Sequence, residues 1–345
     1  MEEYYMINNS AGRLFGYTGD LVLQDTESVS NDIFDTIKDK CNSMGVELIV
    51  NLESPFIKYG FKPIKNKICL GADYKNVTKL RNLNPCLINL SNNHFNDYGV
   101  LGSELTKEVL DELGLRYFGI GKRNKVQYID HTNEHVLNMA FTLRSADQSG
   151  ALLFATDDLD GPRDLDLNLI KETKKKYCHK SIVVSVHWGN EDISIPDFSI
   201  RKLAREIIDA GADLIIGHHP HIIQPMEIYR GKMIFYSLGN FYFPTIRYSF
   251  NSKEIIKIPL KHQKEGIIPI FNFENGVELT TILLVKNSSD SQNIKEIKVS
   301  KLIIPSYRYL FYPCLYWQKE IARLIKYYSG RILEKAASCL RLQKN

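Results

Sequence analysis

The feature that most constrains this fold is the alternation of short apolar runs with amphipathic helical segments. The strand-like runs cover residues 13–18, 46–52, 86–90, 181–186, 213–216 and 232–238. Helix-like spacing of apolar residues covers 31–44, 101–113, 167–177 and 199–210. Strands that alternate with helices predict βαβ units around a largely buried sheet, which is an α/β fold.

The pattern changes near residue 232, after which strand-like runs follow one another with no long helix between them. These runs cover residues 255–260, 267–273, 279–285 and 297–304. Consecutive strands predict antiparallel pairing, and we expect them to form a second sheet that closes over the first. The polar segment 287–293 is predicted to be a hairpin loop.

Composition excludes several classes of protein. The chain has 345 residues, of which 44% are hydrophobic and 24% charged, and this balance predicts a globular protein with a sizeable core. A net charge of only +4 argues against a nucleic-acid partner. The six cysteines are scattered without metal-binding pairs, which predicts reduced thiols and a cytoplasmic protein. No signal-peptide pattern is seen, and no apolar stretch reaches the ~20 residues that span a bilayer.

The last forty residues differ from the rest of the chain. Residues 306–345 contain eight Lys or Arg against two Glu, and from Trp317 onward the apolar residues follow helical spacing. One interpretation is a helix packed on the body of the protein. The other is an interfacial helix that contacts an anionic membrane surface. We therefore predict a main domain over 13–305 and a basic amphipathic tail over 306–345.

Ligand-type side chains recur where the first strand-like runs end. Asp20 follows the first run, and Asn51 and Glu53 end the second, where a spacing of two places them on the same side of a strand. Asp20 also fits a turn or a helix cap. In open α/β sheets, however, ligands bind beyond the carboxyl ends of the strands.

The third run is followed by Asn92, Asn93, His94 and then Asp97. A turn that caps the next helix explains the amides, but it does not require a histidine. We therefore favour a functional role for His94 over a purely structural one.

Later strand ends carry imidazole and amide groups. His187 ends the fourth run, with Trp188 and Glu191 close behind it, and Asn240 follows the run that begins at 232. A lone histidine at a strand end is more often structural than a ligand, and a Gly-Asn turn explains Asn240 equally well.

The fifth run ends in the strongest signal, the sequence GHHPH. His218, His219 and His221 are a third of the nine histidines of the chain, and a structural role explains three of them poorly. Carboxylate, amide and imidazole ligands from five strand ends suit two metal ions about 3.5–4 Å apart that share one carboxylate. We predict one or two divalent ions, with Mn, Fe and Zn as candidates.

Six short motifs occur in a fixed order: GD, NLE, NNHFxDYG, HWGxE, GHHPH and SLGNF. In this order they resemble the bacterial capsule-synthesis (CapA-type) family associated with poly-γ-glutamate production, within the calcineurin-like metallophosphoesterase superfamily. The resemblance covers about 14–285 and implies a four-layer α/β/β/α sandwich.

The resemblance also implies roles for individual residues. Asp20 and His221 would bind one metal ion. Asn93, His187 and His219 would bind the other.

In the same pattern Glu53 would bridge the two ions, and His94 would be the catalytic residue. Val22 stands where the superfamily usually has a histidine ligand, so both one and two ions stay open. The supporting or substrate-side residues would be Asn51, Asn92, Asp97, Trp188, Glu191, His218 and Asn240.

The implied function is metal-dependent hydrolysis, phosphoesterase-like, in capsule or surface-polymer biosynthesis. The substrate would be an anionic polymer or a phosphoester. Two alternatives stay open. One is a non-hydrolytic accessory protein that binds a polyanion, and the other is a hydrolase or transferase that acts on the peptide bonds of the polymer.

Overall fold

A computed structural model describes residues 12–24, 33–123, 129–130, 132–250, 253–288 and 291–302. The basic tail predicted over 306–345 lies outside these residues, so both interpretations of it stay predictions. Within the described part of the chain, no helix is both long and apolar enough to cross a bilayer.

The predicted α/β fold is confirmed, and its main feature is a sheet of eight strands. Its strands come from residues 14–118 and 240–296 of the chain. Elements are numbered along the chain, and the strands of this sheet are β1 (Leu14–Leu21), β2 (Val46–Leu52), β5 (Leu87–Asn89), β6 (Tyr117–Phe118), β15 (Asn240–Tyr242), β18 (Glu265–Asn272), β19 (Glu278–Asn287) and β20 (Gln292–Glu296).

A second sheet of six strands comes from the middle of the chain. The four central strands run parallel to one another, and an antiparallel strand pairs with each end of this set. The strands are β8 (Ile129–Asp130), β9 (Val136–Thr142), β11 (Ser181–His187), β12 (Leu214–His218), β13 (Met226–Tyr229) and β14 (Lys232–Phe235).

Five α-helices, three short ribbons and four 3₁₀ turns complete the described elements. The helices are α1 (Asp35–Met44), α2 (Val77–Leu83), α3 (Gly99–Glu112), α4 (Leu167–Lys176) and α5 (Phe198–Asp209). The ribbons pair β3 (Phe56–Ile57) with β4 (Ala72–Asp73), β7 (Ile120–Gly121) with β10 (Gly161–Pro162), and β16 (Ile246–Phe250) with β17 (Lys253–Lys257).

Three apolar layers hold the sheets and helices together. The first joins the eight-stranded sheet to α1, α2 and α3, and the third joins the six-stranded sheet to α4 and α5. The middle layer lies between the two sheets, where Phe15 and Tyr17 of β1 belong to the same core as Val183 of β11 and Leu214 of β12. The order of layers is α/β/β/α, as the resemblance implied.

One expectation about the sheets is wrong. Strands β18, β19 and β20 do not form a second sheet over the first, because β18 pairs antiparallel with β1 and extends the sheet that β1 begins. The edge of β1 opposite β2 is open to such pairing, and hairpin-linked strands can add to it one after another. The last predicted run, 297–304, also differs, since Gln292–Glu296 is a strand and Val299–Lys301 is a single 3₁₀ turn.

The backbone of β1 closely approaches the residue that precedes β15. At Gly19 a Cβ atom would lie 2.0 Å from the carbonyl oxygen of Gly239, so any other residue would collide with the backbone there. The approach lets the amide of Asp20 donate to that carbonyl at 3.0 Å. It also places Asn240 beside Asp20 in the parallel register of β1 and β15.

Candidate metal centre

The six predicted metal ligands converge at the carboxyl ends of five strands. β1 contributes one near its end, β2 and β5 are each followed by one, β11 ends in one, and two follow β12. Each of the six is 5% exposed or less, so the group is enclosed by protein. The six are Asp20, Glu53, Asn93, His187, His219 and His221.

A first ligand group consists of Asp20, Glu53 and His221. The imidazole of His221 lies between the two carboxylates, with its Nδ1 3.3 Å from Oδ2 of Asp20 and its Nε2 3.7 Å from Oε1 of Glu53. One ligand atom from each of the three lies within 4.8 Å of the others. These three side chains could therefore hold one metal ion.

A second ligand group consists of Glu53, His187 and His219. Nε2 of His187 lies 3.5 Å from Oε1 of Glu53 and 3.1 Å from Nδ1 of His219. The same nitrogen lies 2.8 Å from Oδ1 of Asn93. Glu53 thus belongs to both groups, which is the position that a bridging carboxylate occupies.

The polar atoms in these groups fit a bound cation. Both carboxylate oxygens of Glu53 and Nδ1 of His187 are buried without a hydrogen bond among the described residues. Burial raises the pKa of Glu53 well above its ordinary value, against the opposing charge of His221. A buried polar group without a partner is costly, and a divalent ion beside Glu53 would remove this cost. The donor set of carboxylate, amide oxygen and imidazole suits Mn, Fe or Zn.

Burial and charge set the protonation of the histidines. Burial lowers the pKa of His219 to about 4 and, with the charge of His219, that of His187 well below its ordinary value. Both are therefore neutral imidazoles, the form that binds metal. Burial also disfavours charge on His221, but Glu53 and Asp20 outweigh it and raise its pKa to about 10. A cation bound between these carboxylates would release that proton.

Three neighbours hold Asp20 in place. The amide of Asn51 donates to its Oδ1 at 2.7 Å, Nδ1 of His218 lies 3.1 Å from the same oxygen, and the backbone amide of His219 donates to Oδ2 at 3.1 Å. Burial would raise the pKa of Asp20, yet hydrogen bonds with His218 and His221 lower it well below its ordinary value. Asn51 and His218 therefore support an ionised ligand.

The backbone of the GHHPH segment is strained where the ligands lie. His219 has φ 93° and His221 has φ 58°, both in the left-handed region that residues other than glycine rarely adopt. Such conformations cost about 1–3 kcal/mol each and concentrate at functional sites. Asn240 stabilises this turn, because its amide nitrogen donates to the carbonyl of His221 at 3.1 Å while its Oδ1 lies 3.0 Å from Nδ1 of that ring.

Two of the predicted supporting residues form hydrogen bonds with the backbone around the candidate ligands. The amide of Asn92 donates to the carbonyl of Leu52 at 2.9 Å, and its oxygen accepts from the backbone of His94 at 2.9 Å. This ties the end of β2 to the turn after β5. Trp188 is fully buried, and its indole donates to the carbonyl of Tyr236 at 2.9 Å. The supporting role of Asn92 and Trp188 stays a prediction.

His94 lies beside the ligands in a pair of its own. Its Nδ1 is 2.6 Å from Oδ2 of Asp97, and its Nε2 is 3.3 Å from the amide nitrogen of Asn93. One ring nitrogen is thus committed to a carboxylate while the other faces the centre. This arrangement suits a group that moves a proton, and the catalytic role of His94 stays a prediction.

Comparison with known families places this arrangement in context. The sequence model described as bacterial capsule synthesis protein PGA_cap matches residues 15–245, a range that contains all six candidate ligands and His94. The chain belongs to this capsule-synthesis family.

Two relatives show the extent of the similarity. The chain is 36% identical over 201 residues to PGA biosynthesis protein CapA of Bacillus subtilis (strain 168), an alignment that covers 56% of this chain and 52% of that protein. It is 34% identical over 203 residues to capsule biosynthesis protein CapA of Bacillus anthracis. That alignment covers 56% of this chain and 49% of that protein. The chain thus spans about half the length of these relatives.

A solved structure described as a novel phosphatase from Mycoplasma pneumoniae is similar over 83% of this chain and 92% of that chain. The TM-score is 0.47 and the sequence identity is 11%.

One lysine beside the candidate metal centre was not indicated by the sequence. The side chain of Lys67 is only 3% exposed, and its Nζ lies 2.8 Å from Oδ1 of Asp97. The same ammonium donates to the carbonyl of Asn93. Lys67 comes from a loop that also contains Lys62 and Lys65, so no local pattern distinguishes it from a solvated residue.

A second such lysine lies near Glu191. A carboxylate oxygen of Glu191 is within 4.8 Å of ligand nitrogens of His219 and His221, which makes a third possible ligand group. Partial desolvation would raise the pKa of Glu191, but Lys257 and His221 outweigh it and lower the value to about 2. The sequence indicated Glu191 through the HWGxE motif, whereas Lys257 lies within the strand-like run 255–260 and carries no signal.

Proposed function

We propose that this chain is a metal-dependent hydrolase of capsule or surface-polymer biosynthesis, acting on a phosphoester or on an anionic polymer. The observation that carries the proposal is that Glu53 belongs to two ligand groups at once, with His94 and Asp97 directly beside them. Family membership supports the capsule context, since two relatives are named for PGA or capsule biosynthesis.

Divalent ions bound at the two groups would supply Lewis acidity and lower the pKa of a water molecule to near neutrality. Residues of the chain orient the proton donor and supply the proton. Asp97 accepts the Nδ1 proton of His94, which fixes the ring so that Nε2 faces the centre. Asp97 also stabilises the doubly protonated ring, and Nε2 of that imidazolium can donate its proton to the departing oxygen of the substrate, a contribution of about 10²–10⁴-fold in rate.

Burial adds to the effect of these groups. The carboxylates of Asp20 and Glu53 and the ring of His187 are 1% exposed or less. Charges interact more strongly where water is excluded. The enclosed ligands would therefore hold an attacking oxygen and a reacting anion in a defined orientation.

The test is hydrolysis by the purified full chain after loading with Mn²⁺ or Zn²⁺. Chromogenic phosphomonoesters, phosphodiesters and a γ-linked glutamate polymer would be offered separately, with the Glu53→Gln variant as the control for contaminating activity. We expect turnover of at least one substrate by the wild type and none by the variant. Stoichiometric metal with no turnover of any substrate would contradict the hydrolase and favour a polyanion-binding accessory role.

A further inference from the structure

An ion pair between Lys257 and Glu191 lies beside the metal centre, on the side of His219 and His221. The side chain of Glu191 is 41% exposed and that of Lys257 28%, whereas the six candidate ligands are 5% exposed or less. A molecule that reaches the ligands from the side of Glu191 must pass these two charges.

Lys257 is connected to the ligands through one aromatic ring. Its ammonium lies 5.6 Å from the ring centroid of Phe243, in the range of a cation–π contact. The same ring packs edge-on against His221, with 5.1 Å between the centroids. The β16–β17 ribbon, which ends at Lys257, therefore brings a positive charge to the rim of the centre.

The ion pair itself is loose. Nζ of Lys257 lies 3.5 Å from Oε2 of Glu191, which is longer than a charge-assisted hydrogen bond of about 2.7–2.9 Å. Partly exposed ion pairs contribute little to stability. A better-placed anion could therefore replace Glu191 at small cost.

We propose that Lys257 binds an anionic group of the substrate on this side of the centre. Glu191 forms an ion pair with Lys257 until that anionic group replaces the carboxylate. The ligand class is an oxyanion, either a phosphoryl group or a carboxylate, because both present charged oxygens to an ammonium. The carboxylate that is released remains beside His219 and His221. The substrate assignment rests on the proposed function, but the subsite is tested by binding alone.

The test is isothermal titration calorimetry of the Mn²⁺-loaded full chain with inorganic phosphate and, separately, with glutarate. Lys257→Met should weaken binding of the preferred anion by about 10-fold or more, since it removes a charge-assisted hydrogen bond. Glu191→Gln should tighten binding about threefold or more, because the competing carboxylate loses its charge. Lys261→Met changes the same charge at an exposed position nearby and should match the wild type.

The opposite signs distinguish this role from a structural one. If both variants weaken binding equally, the pair only supports the fold. If Glu191→Gln loses metal, Glu191 is a ligand and the proposal fails, and it fails as well if neither anion binds the wild type. Which of the two anions responds to the variants identifies the substrate group as phosphoryl or carboxylate.

Hydrolysis and binding can fail independently. Turnover that survives in the absence of the binding pattern would overturn the subsite and leave the hydrolase intact. The binding pattern without turnover would uphold the subsite and contradict the hydrolase.

Discussion

Lys67 and Asp97 form an enclosed ion pair in which Nζ lies 2.8 Å from Oδ1, with side chains 3% and 0% exposed. The other oxygen of Asp97 accepts from the backbone amide of Leu70 at 2.6 Å and lies 2.6 Å from Nδ1 of His94. Both oxygens of this carboxylate are therefore committed, and the position of His94 depends on it.

We expect Lys67→Met to destabilise the protein by about 3–5 kcal/mol, because it leaves the Asp97 carboxylate buried without its cation. The double variant Lys67→Met with Asp97→Asn removes both charges and should recover most of this loss. Urea unfolding measures both values. Arg13→Met, which breaks an exposed pair with Glu47, should cost less than about 1 kcal/mol. Equal losses in the single and double variants would contradict a direct coupling of Lys67 to Asp97.

A bound metal ion should stabilise the folded protein through Glu53, since its buried carboxylate has no hydrogen bond among the described residues. At a metal concentration 100 times the dissociation constant, binding adds about 2.7 kcal/mol to the free energy of unfolding. Thermal unfolding with and without Mn²⁺ measures this. Glu53→Gln should abolish the increase in melting temperature, whereas Glu47→Gln, in the strand β2 that precedes Glu53 and partly exposed, should retain it. An increase of the same size in Glu53→Gln would exclude Glu53 as a ligand.

His94 should be separable from the ligands by metal content. His94→Ala is expected to bind metal like the wild type while turnover falls about 10²–10⁴-fold, the usual contribution of a proton donor. His219→Ala should lose metal, because His219 belongs to two of the ligand groups. Elemental analysis and steady-state kinetics give the two readouts, with the exposed His262→Ala as the control. Loss of metal from His94→Ala would make His94 a ligand.

Stability at low pH should depend on Asp213, far from the metal centre. It accepts hydrogen bonds from Lys174 at 2.8 Å and Lys232 at 2.7 Å. Burial raises the pKa of Asp213, but these bonds outweigh it and lower the value. The carboxylate therefore stabilises the fold above its unfolded pKa of about 3.9, and this contribution is lost as pH falls through the folded value.

We expect Asp213→Asn to cost about 1–3 kcal/mol at pH 7, with the difference from the wild type shrinking below about pH 4. Urea unfolding at a series of pH values measures it. Asp209→Asn, which breaks the exposed pair with Arg230, is the matched control and should cost less than about 1 kcal/mol. A difference that does not depend on pH would mean that packing, and not the charge, makes Asp213 important.

The sequence by itself determined the local elements and the positions of the candidate ligands. The run predicted over 46–52 is strand Val46–Leu52, and the helix predicted over 101–113 is Gly99–Glu112. Local periodicity decides such elements, because a strand or helix that buries one face must repeat its apolar residues at that spacing. The ligand types were readable for a similar reason, since carboxylates and histidines directly after buried runs have few structural explanations.

Only the tertiary structure decided which surfaces meet. The pairing of β18 with β1 depends on an open strand edge far away in the sequence, so the run 267–273 could not show which sheet it joins. Lys67 and Lys257 acquire their roles from distant carboxylates, Asp97 and Glu191, and neither lysine differs locally from a solvated one. The effect of a charged side chain depends on the groups that lie beside it in space, and long-range packing of the sheets and loops brings those groups together.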